Sequence, residues 1–369
     1  MSTQRRIYLD FNATAPLTEA ARVAMVEAMA EVGNPSSIHA EGRRARDRVE
    51  RARAQVARLL GRPTEQVVFT SGGTEANQLG VAALALTAER RGLPKVVATT
   101  AIEHPSLRGA VAALERRGWR VITLPAFATE VSEPIGLLAT SLVNHEVGTL
   151  LVSGLLASAR AMGALVHLDA VQAAGKSGLD QISPDALAIS AHKLGGPQGI
   201  GALAIAPSVD DGLPLVDAGH QERGRRPGTE NVLGIVGFGA AASARDLAAW
   251  RVVAELGARL EAGLLALPDV RIHGADQPRH GGTINAGFAG ARGQDIVIAL
   301  DLAGVAVSTG AACTSGSVQP SPVLLGLGYA PEQALEAVRF SLGVSTTDDE
   351  IDRALELLPA IVARARAQR

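Results

Sequence analysis

The sequence lacks a second cysteine: Cys313 stands alone, so no intramolecular disulfide is possible. Residues 1–10 hold no apolar stretch of the kind that marks a secretory signal. Elsewhere the apolar runs are short or broken by glycine, proline and charge, and none reads as a membrane span. Charge of one sign is lacking too, since a formal net charge of −2 leaves no footprint for nucleic acid. No internal repeat or low-complexity linker divides the chain. These absences point to a soluble protein of a reducing compartment, expected in the cytoplasm, with neither nucleic-acid nor membrane partners.

What is present is a chain of 369 residues, 47% hydrophobic, long enough for one large domain and a smaller one. Arginines cluster between Arg43 and Arg58, but Asp47 and Glu50 interrupt them and apolar residues recur at Ala45, Val49, Ala52, Val56 and Leu60. That spacing predicts an amphipathic helix with a solvated basic face rather than a binding patch.

Between about Pro16 and Pro207, short β-rich runs alternate with helical patterns. The expected strands are 66–70, 95–99, 119–124, 140–144, 164–169, 186–190 and 202–206. Near-continuous apolar strands between helices predict an α/β fold, a mostly parallel sheet covered on both faces. Ligands of such sheets sit at the carboxyl ends of the strands. Beyond a long helix at 246–267 the pattern changes to shorter strands mixed with helices, a smaller α+β domain. It closes in a helix opened by the capping-box spacing Thr347-Asp-Asp-Glu350. The expected division is 12–245 for the large domain, with 1–11 and 246–369 as the small one.

Four segments carry chemistry. An apolar strand runs into Ser190-Ala-His-Lys193 and then a turn with four glycines and a proline. A lysine carried inward there suits Schiff-base chemistry, although a glycine-rich turn with an incidental lysine fits as well. Thr70-Ser-Gly-Gly-Thr74 joins a strand to a helix start, where backbone N–H groups and hydroxyls can cradle a phosphate. No Gly-Lys-[Ser/Thr] follows, so it is not a Walker loop, and an ordinary capped helix is the alternative. Asp169 ends the strand Leu165-Val-His-Leu-Asp169, where it can serve a pyridinium nitrogen or merely cap a helix. Cys313 lies in a small, polar segment bounded by Gly310 and Pro320, a setting for an accessible, reactive thiol.

The chain resembles the cysteine desulfurases of the NifS/IscS type, within the class V aminotransferases of pyridoxal-phosphate fold type I. The resemblance rests on Tyr8–Pro16, Gly33–His39, Thr70–Glu75, Glu103-His104, Asn144–Gly148, Asp169–Gln172, His192-Lys193, Arg225–Asn231, Ser308–Ser315 and Arg339–Gly343. It implies a pyridoxal 5'-phosphate cofactor carried by Lys193, with His104 stacked on its ring, Asp169 at the ring nitrogen, and Gln172 and Asn144 near the phenolic oxygen. Gly73, Thr74, Ser190 and His192 would hold the phosphate, joined by Thr229 of a second subunit in a homodimer. Arg339 and Asn12 would bind the carboxylate of L-cysteine. Cys313 would take the sulfur as a persulfide and pass it to a sulfur-acceptor protein of iron–sulfur assembly or thiolation. Where the resemblance expects Asn-Asn-Glu, this chain has Asn144-His145-Glu146. Other readings are a selenocysteine lyase or related lyase that does not need Cys313, and a non-enzymatic sulfur carrier or regulatory partner. No metal site is expected.

Overall fold

A computed structural model of the chain describes residues 6–209, 218–310 and 319–368. The chain forms two units: Ala15–Leu142 with Leu151–Asp246, and Met1–Thr14 with Val143–Leu150 and Leu247–Arg369.

The larger unit is built on seven strands: β1 (Val67–Thr70), β2 (Val96–Thr100), β3 (Arg120–Leu124), β4 (Leu137–Ser141), β5 (Leu165–Asp169), β6 (Ala186–Ser190) and β7 (Gly201–Ile205). Their order across the sheet is β1-β7-β6-β5-β4-β2-β3. All neighbours are parallel except β7, which runs antiparallel to both β1 and β6. The inner strands are buried along their whole length, as strands covered on both faces must be. Helix α1 spans Ala40–Leu60, α2 Gly73–Arg90 and α3 Pro105–Glu115. Leu84 and Ala88 of α2 and Leu107, Val111 and Leu114 of α3 share a core with Val97, Leu137, Leu165 and Leu203 of the sheet. Each such buried leucine contributes roughly 1.5–3 kcal/mol relative to an exposed one.

The strand expected at 140–144 differs. Its hydrogen-bonded part is Leu137–Ser141, paired from Leu137↔Leu165 to Ser141↔Asp169. Leu137, Leu138 and Ala139 look helix-compatible in sequence, yet a parallel interior strand buries them completely. The face expected to be wet on α1 is also broken at one point. Ala45, Val49, Ala52, Val56 and Leu60 are buried as the periodicity predicts, but Arg53 is buried with them. Its guanidinium donates to both oxygens of the buried Glu222, at 2.6 and 2.8 Å, and to the Val67 carbonyl at 2.9 Å.

The smaller unit has a three-stranded antiparallel sheet with Thr283–Phe288 between Val270–Ile272 and Ala337–Ser341. The two-residue strands Ile7–Tyr8 and Val305–Ala306 pair in parallel beside it. Phe288, Phe340, Leu260, Leu300 and Leu358 belong to its core. The last helix, Asp348–Ala367, opens with the expected reciprocal cap between Thr347 and Glu350. Among the described residues, no helix is long and apolar enough to cross a membrane.

Candidate active site

Lys193 follows β6 directly. The strand ends at Ser190, a single 3-10 turn carries Ala191–Lys193, and the chain bends through Gly195 and Gly199 before returning as β7. Both glycines hold positive φ, at 79° and 75°, a conformation that a side chain would strain. Ser190 is buried and sits opposite Gly201 in the ladder. His192 is pushed down to about 4 by burial and by the neighbouring Lys193 charge, so its ring is neutral at neutral pH.

Asp169 ends β5 and is buried. Its Oδ1 accepts from the Val171 backbone N–H at 2.9 Å and its Oδ2 from the Asn77 amide at 2.6 Å. Burial lifts its carboxyl above the ordinary carboxylate range, against those two donors and the charges of His104 and Lys193. Gln172, three residues on, is buried and accepts from the buried Lys176 ammonium at 2.8 Å.

His104 is the N-cap of α3, its Nδ1 accepting from the Ser106 backbone N–H at 3.1 Å. Burial pulls its pKa below the usual imidazole value, Asp169 pulls it up, and Lys193 and Arg108 pull it down. The three expected groups Lys193, His104 and Asp169 are therefore brought together in one electrostatic cluster. Glu103, next to His104 in the chain, is fully buried, with Thr100 donating at 2.7 Å, Thr140 at 2.6 Å and the Ser141 hydroxyl as a third donor. Burial raises its carboxyl, which the three hydroxyls oppose.

The helix start at Gly73-Thr74 has no side-chain cap, because Gly72 occupies the N-cap. A Cβ on Gly73 would stand 2.7 Å from Val171 Cγ2, so only glycine lets α2 begin this close to the segment after Asp169. Thr229 is exposed. Its neighbour Arg226 pairs at 2.9 Å with Glu75, in the first turn of α2.

Asn12, Asn144 and Arg339 belong to the smaller unit. Arg339 donates to Asp10 Oδ1 at 2.7 Å and to the His145 carbonyl at 3.1 Å. Asn12 donates to that same carbonyl at 3.2 Å and to Thr283 at 2.9 Å. Asn144 Oδ1 accepts from the N–H groups of Glu146 and Val147, shaping the turn to Gly148. His145 therefore brings Arg339 and Asn12 together through its backbone, while its ring stands 3.6 Å from the buried Glu146. Cys313 lies outside the described residues. No group of acid, histidine and cysteine side chains among the described residues could hold a metal ion.

Asn77, Ser106 and Glu103 had no role in the sequence reading. Asn77 does carry a signal: it is a polar residue beside Ala76, Gly80 and Val81 on a helix face that is otherwise apolar.

A lysine at the ligand edge of a mostly parallel sheet, beside a buried strand-end acid and an uncapped helix start, defines an α/β enzyme that works with a bound cofactor. The chain belongs to the Aminotransferase class-V family, whose pattern matches residues 7–354. It is 40% identical to a cysteine desulfurase of Enterobacter agglomerans, over 98% of this chain and 94% of that one. A solved NifS-like protein superposes with a TM-score of 0.86 at 30% identity, covering 97% of this chain and all of the other. SspA, solved in complex with cysteine, gives 0.78 at 26% identity over 92% of this chain and all of its own.

Proposed function

We propose that the protein is a pyridoxal-phosphate-dependent cysteine desulfurase. It converts L-cysteine to L-alanine and loads the removed sulfur onto Cys313 as a persulfide. The observation that carries this reading is the buried Asp169 carboxylate at the end of β5, acting on His104 and Lys193 together. Perturbed acid and base groups at the ligand edge of a parallel sheet mark a reaction site. The relatives named cysteine desulfurase supply the substrate.

The residues present fit the cofactor. The uncapped start of α2 suits a phosphate, the buried carboxylate of Asp169 suits a protonated ring nitrogen, and the amine of Lys193 suits attachment of an aldehyde. When bound, pyridoxal phosphate supplies an electron sink for negative charge developing on the substrate's α-carbon. Gly73, Thr74, Ser190 and His192 hold the phosphate, with Thr229 contributed by a second copy in a homodimer. Gln172 and Asn144 serve the phenolic oxygen. Arg339 and Asn12 bind the substrate carboxylate, for which a planar guanidinium is matched in shape.

Lys193 moves the α-proton of the substrate. Cys313 attacks the substrate sulfur as the thiolate, with neutral His104 beside it as a proton carrier. A sulfur–sulfur bond forms, the carbon–sulfur bond breaks, and its electron pair stays with the carbon, which takes up a proton and leaves as alanine. The outer sulfur keeps its hydrogen, so Cys313 ends as a persulfide that a sulfur-acceptor protein then discharges. The acceptor belongs to iron–sulfur assembly or to a thiolation pathway, in the cytoplasm.

The test is to add L-cysteine and a reductant to the purified yellow protein and quantify alanine and sulfide. Equal amounts of both, lost in Cys313→Ser while the visible cofactor band stays, support the desulfurase. A yellow protein that forms alanine without needing Cys313 sinks it in favour of a lyase, and a colourless protein sinks the cofactor assignment.

A further inference from the structure

Asn77 is fully buried near the start of α2, where it touches three groups. Its Nδ2 donates to Asp169 Oδ2 at 2.6 Å and to Ser106 Oγ at 2.9 Å, and its Oδ1 lies 2.9 Å from His167 Nε2. The orientation of the amide is dictated by its partners. An ionised carboxylate only accepts, so nitrogen must face Asp169, and Oδ1 must then accept from His167. That hydrogen is available: burial pushes His167 down to about 3, and its neutral ring carries one proton, on Nε2.

The consequence runs on through Ser106. Its oxygen already receives a hydrogen from Asn77, so its own hydroxyl hydrogen is turned to His104 Nδ1, 2.8 Å away. The Ser106 backbone N–H is also directed at Nδ1, as the cap of α3. Two donors converge on one ring nitrogen, which must present its lone pair to them.

We propose that Asn77 and Ser106 lock His104 in the tautomer with its hydrogen on Nε2, which makes Asn77 a positioning residue for Asp169 and His104 at once. The neutral ring then presents a hydrogen at Nε2, while the lone pair of Nδ1 is held by Ser106. The charged groups around the ring are Asp169, Lys193 and Arg108. The use of that proton rests on the function proposed above; the tautomer itself does not.

Nitrogen NMR of the full-length chain labelled in histidine nitrogen tests the lock, with His104 assigned through His104→Gln and spectra taken with the cofactor and after its removal. The expected result at neutral pH is an unprotonated Nδ1 and a protonated Nε2. Ser106→Ala removes the hydroxyl donor while leaving the backbone cap. It should bring the two nitrogen shifts towards averaged values, raise the pKa of His104, and move the acid limb of the rate profile to higher pH. Asn77→Ala should do the same and also disturb Asp169; if that variant fails to fold, Ser106→Ala still decides. A proton on Nδ1 in the unaltered protein, or an unchanged single tautomer in Ser106→Ala, overturns the proposal. A chain that releases no sulfide yet shows the Nε2 proton sinks the desulfurase and keeps the lock.

Discussion

Replacing Glu222 by alanine leaves the Arg53 guanidinium buried without its counter-charge. The side chains are 4% and 3% exposed, and the carboxylate receives two guanidinium hydrogens as well as the Phe69 backbone N–H at 2.9 Å. Arg53 also lies over the Phe69 ring, 4.8 Å from its centroid, so it has no route to solvent without unpacking β1. Removing one partner of a buried pair costs about 3–5 kcal/mol, because the remaining charge is left desolvated. In a unit of this size that corresponds to a fall in Tm of about 6–20 °C. Glu222 itself sits at φ 49°, and Arg223 follows at 58°, so the pair anchors a backbone that two side-chain-bearing residues hold in the left-handed region. This is the stretch that leads to Thr229. Equilibrium urea unfolding of the full chain, followed by circular dichroism, reads the loss. The double variant Arg53→Met/Glu222→Leu should lie closer to the parent than Glu222→Ala does, since a matched apolar pair carries no stranded charge. A loss under about 1 kcal/mol in Glu222→Ala, or a double variant at least as unstable, would refute the reasoning.

Two further outcomes are expected. Arg339→Lys keeps the charge but loses the planar fork that serves Asp10 and the His145 carbonyl, so KM for L-cysteine should rise about 10- to 100-fold with kcat little changed, as for lost ground-state binding; steady-state kinetics with sulfide detection checks it, and an unaltered KM removes Arg339 from the substrate site. His167, held neutral with its pKa depressed to about 3, binds its proton more weakly folded than unfolded. Its contribution to stability is therefore complete above pH about 6.5 and declines as pH falls from there towards about 3; His167→Gln should flatten that limb in urea midpoints measured against pH, and an equally steep limb would assign the loss to other groups.

Much of this arrangement was legible in sequence for physical reasons. Interior strands covered on both faces are largely apolar, so β5, β6 and β7 announce themselves, and the residue ending β5 and the lysine following β6 fall at the ligand edge by topology alone. The cap at Thr347 is readable because it is local. Partnerships across long separations are not: nothing in a basic helix marks Glu222, 169 residues away, as the partner of Arg53. A position-by-position reading would have placed Arg53 on the inner face, between Val49 and Ala57, had charge not outweighed periodicity. Asn77 was hidden in the same way, because an asparagine in the first turns of a helix reads as a cap until its three partners are seen. His145 stood out as a titratable ring, yet it is its backbone carbonyl that gathers Arg339 and Asn12, and a carbonyl has no sequence signature.

In the seven-stranded sheet β7 alone runs backwards. In a fully parallel sheet a residue following a strand hangs at the mouth of a long crossover, secured at one end. Here the chain doubles back as β7, so the segment bearing Lys193 is zipped from both sides: Ser190 faces Gly201, and the Ala191 N–H meets the Ile200 carbonyl at 3.1 Å. The Ala15 N–H ties down the His192 carbonyl at 2.8 Å. The amides of this segment should therefore exchange with solvent only when the sheet itself opens. Under the proposed function, the Lys193 amine returns after each turnover to a segment that the sheet holds from both sides.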